Sequence, residues 1–224
     1  YIGGTIEDEK DLTLQTPDSF WKRFRVKMVV HHEVISIHPE SKSVTVKNLE
    51  TGTVFTERYD KLLLSPGAKP IKPNLDGVDS DKIFTLRTVE DTLKIKNYTN
   101  AHQPESAVIV GGGFIGIEVA ENLRNLGINV TLVEAAEQLM NPFDGDMASF
   151  IHAEMRKNGI NLMLNTMVEG FSETDHGIDV KIKNASAIHT DMVVMAIGVL
   201  PETTLAKEAG LELGIKGSIV VNHR

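Results

Sequence analysis

Three glycines in the middle of the chain have the spacing of a loop that binds a dinucleotide. Gly111, Gly113 and Gly116 form the pattern G-x-G-x-x-G directly after the apolar run Ala107–Val110. In such a loop the first glycine permits a tight turn and the second lets the backbone approach a pyrophosphate. The third lets the following helix pack closely on its strand. The whole loop, including Gly112, Phe114 and Ile115, is therefore a candidate binding site for a nicotinamide dinucleotide.

One acidic residue has the position of a ribose ligand. Glu134 follows the first glycine by 23 residues (134 − 111), close to the roughly 20 at which an acid binds the ribose 2′-hydroxyl of NAD. A carboxylate there repels the 2′-phosphate of NADP, and no arginine follows it in Ala135–Met140. The sequence therefore predicts NAD rather than NADP.

The sequence predicts regular elements on both sides of the loop, and these must position its residues. Ala107–Val110 is short and β-branched, as expected of a buried parallel strand. A helical stripe follows, Gly127 ends it, and Asn129–Val133 forms a second apolar strand. The stripe consists of Ile115, Val119, Leu123 and Leu126. The segment is thus a strand–helix–strand unit.

The remaining predicted elements follow the same order twice along the chain. Each copy is a three-stranded meander, then a buried apolar strand, then a glycine loop. The first copy is predicted at Lys27–Ile37, Ser43–Asn48, Thr53–Arg58 and Tyr59–Leu64. The second is predicted at Val168–Ser172, Ile178–Lys183, Ala187–His189 and Met192–Ile197, and a last strand at Ser218–Val221. Only the second copy has its opening strand–helix–strand unit, so we expect the chain to be a fragment.

Composition narrows the class of protein. The 224 residues are 41% hydrophobic and 24% charged, with a net charge of −8 and scattered basic residues. That charge argues against nucleic acid as a partner. The chain has no cysteine, which excludes disulfides and thiolate metal sites, and no metal site is expected. No apolar run reaches the length of a membrane helix and no targeting segment is visible, which favours the cytoplasm.

Four stretches resemble one enzyme family. They are Tyr59–Pro70, Phe84–Asp91, Gly111–Asn122 and Ala196–Pro201. The chain resembles the central part of an FAD-dependent pyridine nucleotide–disulfide oxidoreductase, nearest the coenzyme A-disulfide reductases and NADH oxidases. The resemblance implies an α/β fold with a Rossmann-like, three-layer NAD-binding domain at 85–200. Parts of an FAD-binding domain of the same plan are expected at 1–84 and 201–224.

The resemblance also implies roles for individual residues. Ser65, Pro66 and Gly67 match a loop near FAD, and Gly198 matches a loop glycine near the nicotinamide nucleotide. Phe114 matches an aromatic residue that covers the flavin in many relatives. Glu118 matches an acid on the nicotinamide side of the flavin, although an acid near a helix start is also favoured by the helix dipole alone.

Departures from the family concern the reaction itself. The redox cysteine of relatives lies just before a stretch resembling Tyr1–Gly4, and no cysteine is present here. The glycine motif for FAD, a Gly-Asp segment that binds the flavin and the C-terminal dimerisation domain are absent too. The resemblance implies a homodimeric parent that passes hydride from NADH to FAD and then to a disulfide, a persulfide or oxygen. The fragment alone is expected to be inactive and to hold no catalytic residue.

Two other functions fit part of the pattern. A non-catalytic module that senses NADH would need neither a cysteine nor a flavin motif. A monooxygenase or ferredoxin reductase of the same two-domain plan is disfavoured by Ser65-Pro66-Gly67 and by Tyr1–Gly4.

Overall fold

The computed structural model describes residues 1–222, which form two compact units. Unit 1 comprises Tyr1–Leu12 and Pro70–Val199, and unit 2 comprises residues 13–69 and the described residues from 200 on. The chain passes from one unit to the other at residues 12–13, 69–70 and 199–200. Each unit has its own apolar core.

The elements follow in this order along the chain. The strands are β1 His32–His38, β2 Ser43–Asn48, β3 Val54–Arg58, β4 Ala68–Pro70, β5 Ile83–Thr85, β6 Ser106–Val110, β7 Asn129–Val133, β8 Asn161–Met163, β9 Val168–Thr174, β10 Gly177–Ile182, β11 Ile188–Thr190, β12 Met192–Met195 and β13 Val199–Pro201. The α-helices are α1 Pro17–Phe24, α2 Val89–His102, α3 Phe114–Asn125, α4 Gly145–Lys157 and α5 Thr204–Glu208. Short 3₁₀ helices occupy Glu9–Leu12 and Ile215–Gly217.

Unit 1 is built on a five-stranded sheet in the order β5-β12-β6-β7-β8. All four pairings are parallel. Parallel strands need crossover connections, which α3 supplies between β6 and β7 and α4 supplies between β7 and β8. The predicted strand–helix–strand unit is confirmed, and Asn129–Val133 has the predicted bounds.

Alternate residues of the central strands face two different layers. In β6, Ala107 and Ile109 pack in the cluster that contains Leu123 of α3 and Met155 of α4. Val108 and Val110 pack in the cluster that contains Phe171 and Val180 of the antiparallel meander β9-β10-β11. Because strand side chains alternate between faces, this gives three layers: helices, parallel sheet and meander. The predicted α/β class and Rossmann-like architecture are confirmed.

Unit 2 contains a smaller antiparallel meander, β1-β2-β3. Its core consists of Ile37, Val44 and Val46, with Leu205 and Ala209 packed against them. Helix α5 contacts β1, so the chain returns to this unit after unit 1.

Three predicted strands differ from those observed. Tyr59–Leu64 is not a strand, and the Leu63 side chain is 87% exposed. An apolar run becomes a buried strand only when neighbouring strands take up its hydrogen bonds, and none of the described strands pairs with this one. At Ser218–Val221 only Ile219 pairs, in an isolated bridge to Leu213. The strand predicted at Lys27–Ile37 begins at His32.

The compact units also differ from the domain limits expected from sequence. Unit 1 takes in Tyr1–Leu12 and begins its main segment at Pro70, whereas the sequence indicated residue 85. The extra residues hold apolar side chains of the unit 1 cores: Ile2 lies among the helix-side residues and Val78 among the meander-side residues. No helix within residues 1–222 is long and apolar enough to cross a membrane.

Candidate dinucleotide site

The turn after β6 requires a glycine. Gly111 has φ +109°, a region that residues with a side chain rarely adopt. A Cβ atom there would lie 2.4 Å from the carbonyl oxygen of Ala196. The Gly111 N–H donates to the Val133 carbonyl at 2.8 Å and the Ala196 N–H donates to the Val110 carbonyl at 2.7 Å. The turn is therefore held between the ends of β7 and β12.

The third glycine brings helix α3 against this turn. A Cβ atom on Gly116 would lie 1.9 Å from the Gly111 carbonyl oxygen. No side chain fits in that space, so the close helix–strand packing assigned to this position is confirmed.

The second glycine is at the open end of the helix. Gly113 is the N-cap of α3, and a Cβ atom on it would have no neighbour within 4 Å among the described atoms. The first helical bond runs from the Ile117 N–H to the Gly113 carbonyl at 3.0 Å. The preceding N–H groups, including those of Phe114 and Ile115, thus have no acceptor within the helix. Such a helix end attracts anions such as a pyrophosphate.

Glu134 lies directly beside the glycine turn. Its Oε2 accepts from the Gly112 N–H at 2.5 Å, and its Oε1 accepts from the Ala136 N–H at 2.8 Å. A carboxylate offers about four acceptor positions. Each oxygen therefore keeps a lone pair with which it can accept a ribose hydroxyl.

One cleft of about 500 Å³ joins these features. Gly111, Gly112, Gly113, Glu134 and Gly198 all line it. They come from the carboxyl ends of β6, β7 and β12, the edge at which open parallel sheets bind ligands. The structure thus brings together five of the residues singled out from the sequence.

The other predicted residues of α3 lie beside the cleft rather than in its wall. Phe114 is 61% exposed, and its ring meets that of Phe143 edge to face at 6.3 Å. Ile115 is partly exposed and Glu118 is exposed on the second turn of the helix. Phe114 and Glu118 are therefore accessible to a second group above the helix end.

Ser65, Pro66 and Gly67 belong to unit 2 and do not line this cleft. All three are exposed, and Gly67 has φ +75°. The Gly67 carbonyl accepts from the Glu202 N–H at 3.0 Å. They form an exposed loop.

Several cleft residues were not singled out from the sequence. Thr166, Met167 and Val168 follow β8, Asn141 lies in the loop after β7, and Pro73 and Leu75 lie before β5. The first three were within reach of sequence reasoning, because ligands bind beyond the carboxyl ends of successive parallel strands.

The residues of the cleft fit a dinucleotide. The open face of Gly113, the unpaired start of α3 and the Glu134 carboxylate match a pyrophosphate and a ribose. Within residues 1–222, no group of three or more histidine, aspartate or glutamate side chains is arranged to hold a metal ion.

A parallel sheet with a glycine turn and an acid at its carboxyl edge places this chain in the Rossmann-like fold class. Residues 4–224 match the pyridine nucleotide-disulphide oxidoreductase family, and the chain belongs to that family. The coenzyme A disulfide reductase of Staphylococcus aureus (strain JH9) is 35% identical over 223 residues, covering 100% of this chain and 49% of the relative. The chain thus spans about half the length of the curated relatives it matches.

Solved structures agree with this assignment. The reduced CoADR-RHD of Bacillus anthracis has a TM-score of 0.93 and 45% identity, over 97% of this chain and 39% of that one. A NAD-dependent persulfide reductase from A. fulgidus has a TM-score of 0.92 and 30% sequence identity, over 99% of this chain and 41% of that one. The water-forming NADH oxidase of Lactobacillus brevis, bound to NADH, has a TM-score of 0.85 and 31% sequence identity, over 97% of this chain and 47% of that one. The family and subgroup predicted from sequence are confirmed. The prediction that members of this family are enzymes that use FAD and NAD(H) is confirmed as well.

Proposed function

We propose that unit 1 binds NADH in the cleft at the carboxyl edge of its sheet, in a longer enzyme that oxidises NADH through FAD. The supporting observation is that Gly111–Gly113, Glu134 and Gly198 line one cleft beside the open end of α3. The pyrophosphate lies against the N–H groups at the start of α3, and Glu134 accepts the adenosine ribose hydroxyls.

NADH is preferred to NADPH because Glu134 meets the 2′ position. A 2′-phosphate would bring negative charge against a carboxylate that two N–H donors already hold in place. Asn141 is the polar side chain that the following loop adds to the cleft wall, and its uncharged amide offers no ion pair to a phosphate.

The reaction of the longer protein uses both cofactors. FAD, when bound, would accept the hydride that NADH supplies. Gly198 lets the backbone approach the nicotinamide nucleotide, while Phe114 and Glu118 face the flavin side of the helix end. FAD is contacted by the exposed loop that Ser65, Pro66 and Gly67 form.

The electron acceptor is a disulfide, a persulfide or oxygen. The relatives that support this are named for coenzyme A disulfide, for persulfide and for water formation. The 224 residues contain no cysteine, so their part is NADH recognition rather than thiol chemistry. We further propose that the longer protein is a cytoplasmic homodimer.

Calorimetric titration of the purified chain with NADH and with NADPH tests the proposal. Wild-type protein is expected to bind NADH more tightly than NADPH. Glu134→Ala is expected to weaken NADH binding by about 10- to 100-fold, because hydrogen bonds to a charged group contribute about 1.5–3 kcal/mol.

Glu137→Ala is the matched control. Glu137 is an exposed carboxylate three residues further on that does not line the cleft, so its loss is expected to leave NADH affinity unchanged. Failure of the wild-type chain to bind either nucleotide, or equal losses in the two variants, would contradict the proposal.

A further inference from the structure

The loop between β7 and α4, residues 134–144, holds the glycine turn in place. The Met140 N–H donates to the Gly112 carbonyl at 2.9 Å. The Leu139 side chain is fully buried, and a Cβ atom on Gly112 would lie 2.4 Å from its Cδ2. The Gly112 N–H also donates to Glu134, so Leu139 packs directly against the residue that hydrogen-bonds the Glu134 carboxylate.

A single side chain from helix α4 secures this loop. The Leu139 N–H donates to Nε2 of His152 at 3.0 Å. A ring nitrogen accepts a hydrogen bond only when it carries no proton, so His152 is the neutral imidazole with its proton on Nδ1. Protonation of Nε2 would place two donors against each other and remove the bond.

The surroundings of His152 favour that neutral form. Partial burial, assisted by the nearby positive charge of Arg156, lowers the pKa of His152 below its usual 6.5. The other charged residues of α4 and of the loop packed against it are Asp146, Glu154 and Lys157, and Glu134, Glu137 and Asp144. The ring is therefore neutral at pH 7 and takes up a proton only in acid.

We propose that His152 is a positioning residue of the dinucleotide site: its neutral ring holds Leu139, and through it Gly112 and Glu134, in the geometry that binds the nucleotide. The proposal rests on the proposed NADH site. His152 does not line the cleft and acts only through the loop. Nucleotide affinity is therefore set by the protonation state of a side chain outside the site.

The direction of the pH effect follows from the lowered pKa. The nucleotide binds the form with a neutral His152, so affinity is full at pH 7 and falls as the pH drops through the folded-state pKa, which lies below 6.5. Protonation also opposes folding there, because the unfolded chain binds the proton more readily than the folded one.

Binding of NAD⁺ between pH 7.5 and 5 tests the proposal in wild type and two variants. Wild-type affinity is expected to fall about fivefold, equivalent to ~1 kcal/mol. His152→Leu is expected to be about fivefold weaker at every pH. In His152→Gln the amide oxygen can accept from Leu139 at all pH values, so affinity should match wild type at pH 7.5 and stay constant in acid.

His176→Leu is the control, because His176 is an exposed histidine of the same unit outside this cleft; it is expected to keep the wild-type pH profile. If the wild-type chain binds NADH but His152→Gln has the same acid loss as wild type, or His152→Leu binds equally well, the role of His152 is wrong while the site stands. If the wild-type chain binds neither NADH nor NAD⁺, the proposed function fails and this role fails with it.

Discussion

The glycines of the turn are required for different physical reasons. Gly116 has no room for a side chain, because a Cβ atom would lie 1.9 Å from a backbone oxygen. Gly113 has room, and its φ of −82° is open to any residue. The motif has a glycine at all three positions, but the fold itself requires glycine only at Gly111 and Gly116.

Alanine at the two positions is expected to separate folding from binding. Gly113→Ala should change the free energy of unfolding by less than about 1 kcal/mol, yet weaken NADH binding at least about tenfold, because the methyl group enters the space for the pyrophosphate. Gly116→Ala should destabilise unit 1 by about 3 kcal/mol, in the upper range for overpacking.

Chemical denaturation and NADH titration of both variants measure these effects. If the Gly113→Ala protein binds NADH as tightly as wild type, the pyrophosphate does not lie at the start of α3. A Gly116→Ala protein of unchanged stability would show that the helix can shift at little cost.

At the level of elements, one carboxylate joins two strands of the parallel sheet. Asp191 lies between β11 and β12, and its Oδ2 accepts from the N–H groups of Glu105 and Ser106 at 2.9 and 2.8 Å. It also accepts from the Ser106 hydroxyl at 2.9 Å. The start of β6 is thereby fastened to the start of β12, at the edge opposite the glycine turn.

Removal of this carboxylate is expected to lower stability without affecting binding. Asp191→Ala should reduce the free energy of unfolding of unit 1 by about 2–3 kcal/mol, because it leaves donors without a charged acceptor. NADH affinity should stay within about twofold of wild type, since the carboxyl edge is untouched. Asp175→Ala is the control, as Asp175 is an exposed loop carboxylate nearby. An Asp191→Ala protein as stable as wild type would contradict this role.

At the level of the whole chain, the two units have separate cores. Both large apolar clusters consist of unit 1 residues, and the small cluster of Ile37, Val44 and Val46 belongs to unit 2. A ligand that binds only unit 1 therefore stabilises one core and not the other.

Hydrogen exchange with and without NADH is expected to show this division. NADH at 100 times its Kd should stabilise unit 1 by about 2.7 kcal/mol. Amides of β6, β7 and β12 that exchange through unfolding should slow about 100-fold, and those of β1 and β2 should not change. Equal protection of the strands of both units would mean that the units unfold together.

Local pattern accounts for most of what could be predicted from the sequence. Glycine spacing, the apolar run Ala107–Val110 and the stripe on α3 are properties of neighbouring residues, and the elements they predicted are observed. Glu134 was identifiable because a strand and a helix of ordinary length separate it from Gly111 in a regular way. These local rules sufficed for the strand–helix–strand unit and for the glycine turn with its acid, whereas the fold class followed from the resemblance to a known family.

Tertiary structure alone decided what depends on partners distant in the chain. Tyr59–Leu64 has the composition of a buried strand, yet a strand exists only where a neighbouring strand accepts its hydrogen bonds. His152 carries no sequence signal, because its proposed role depends on the Leu139 N–H of the preceding loop, which the fold places beside its ring. Composition and spacing describe what each residue can do, whereas packing determines which residue each one meets.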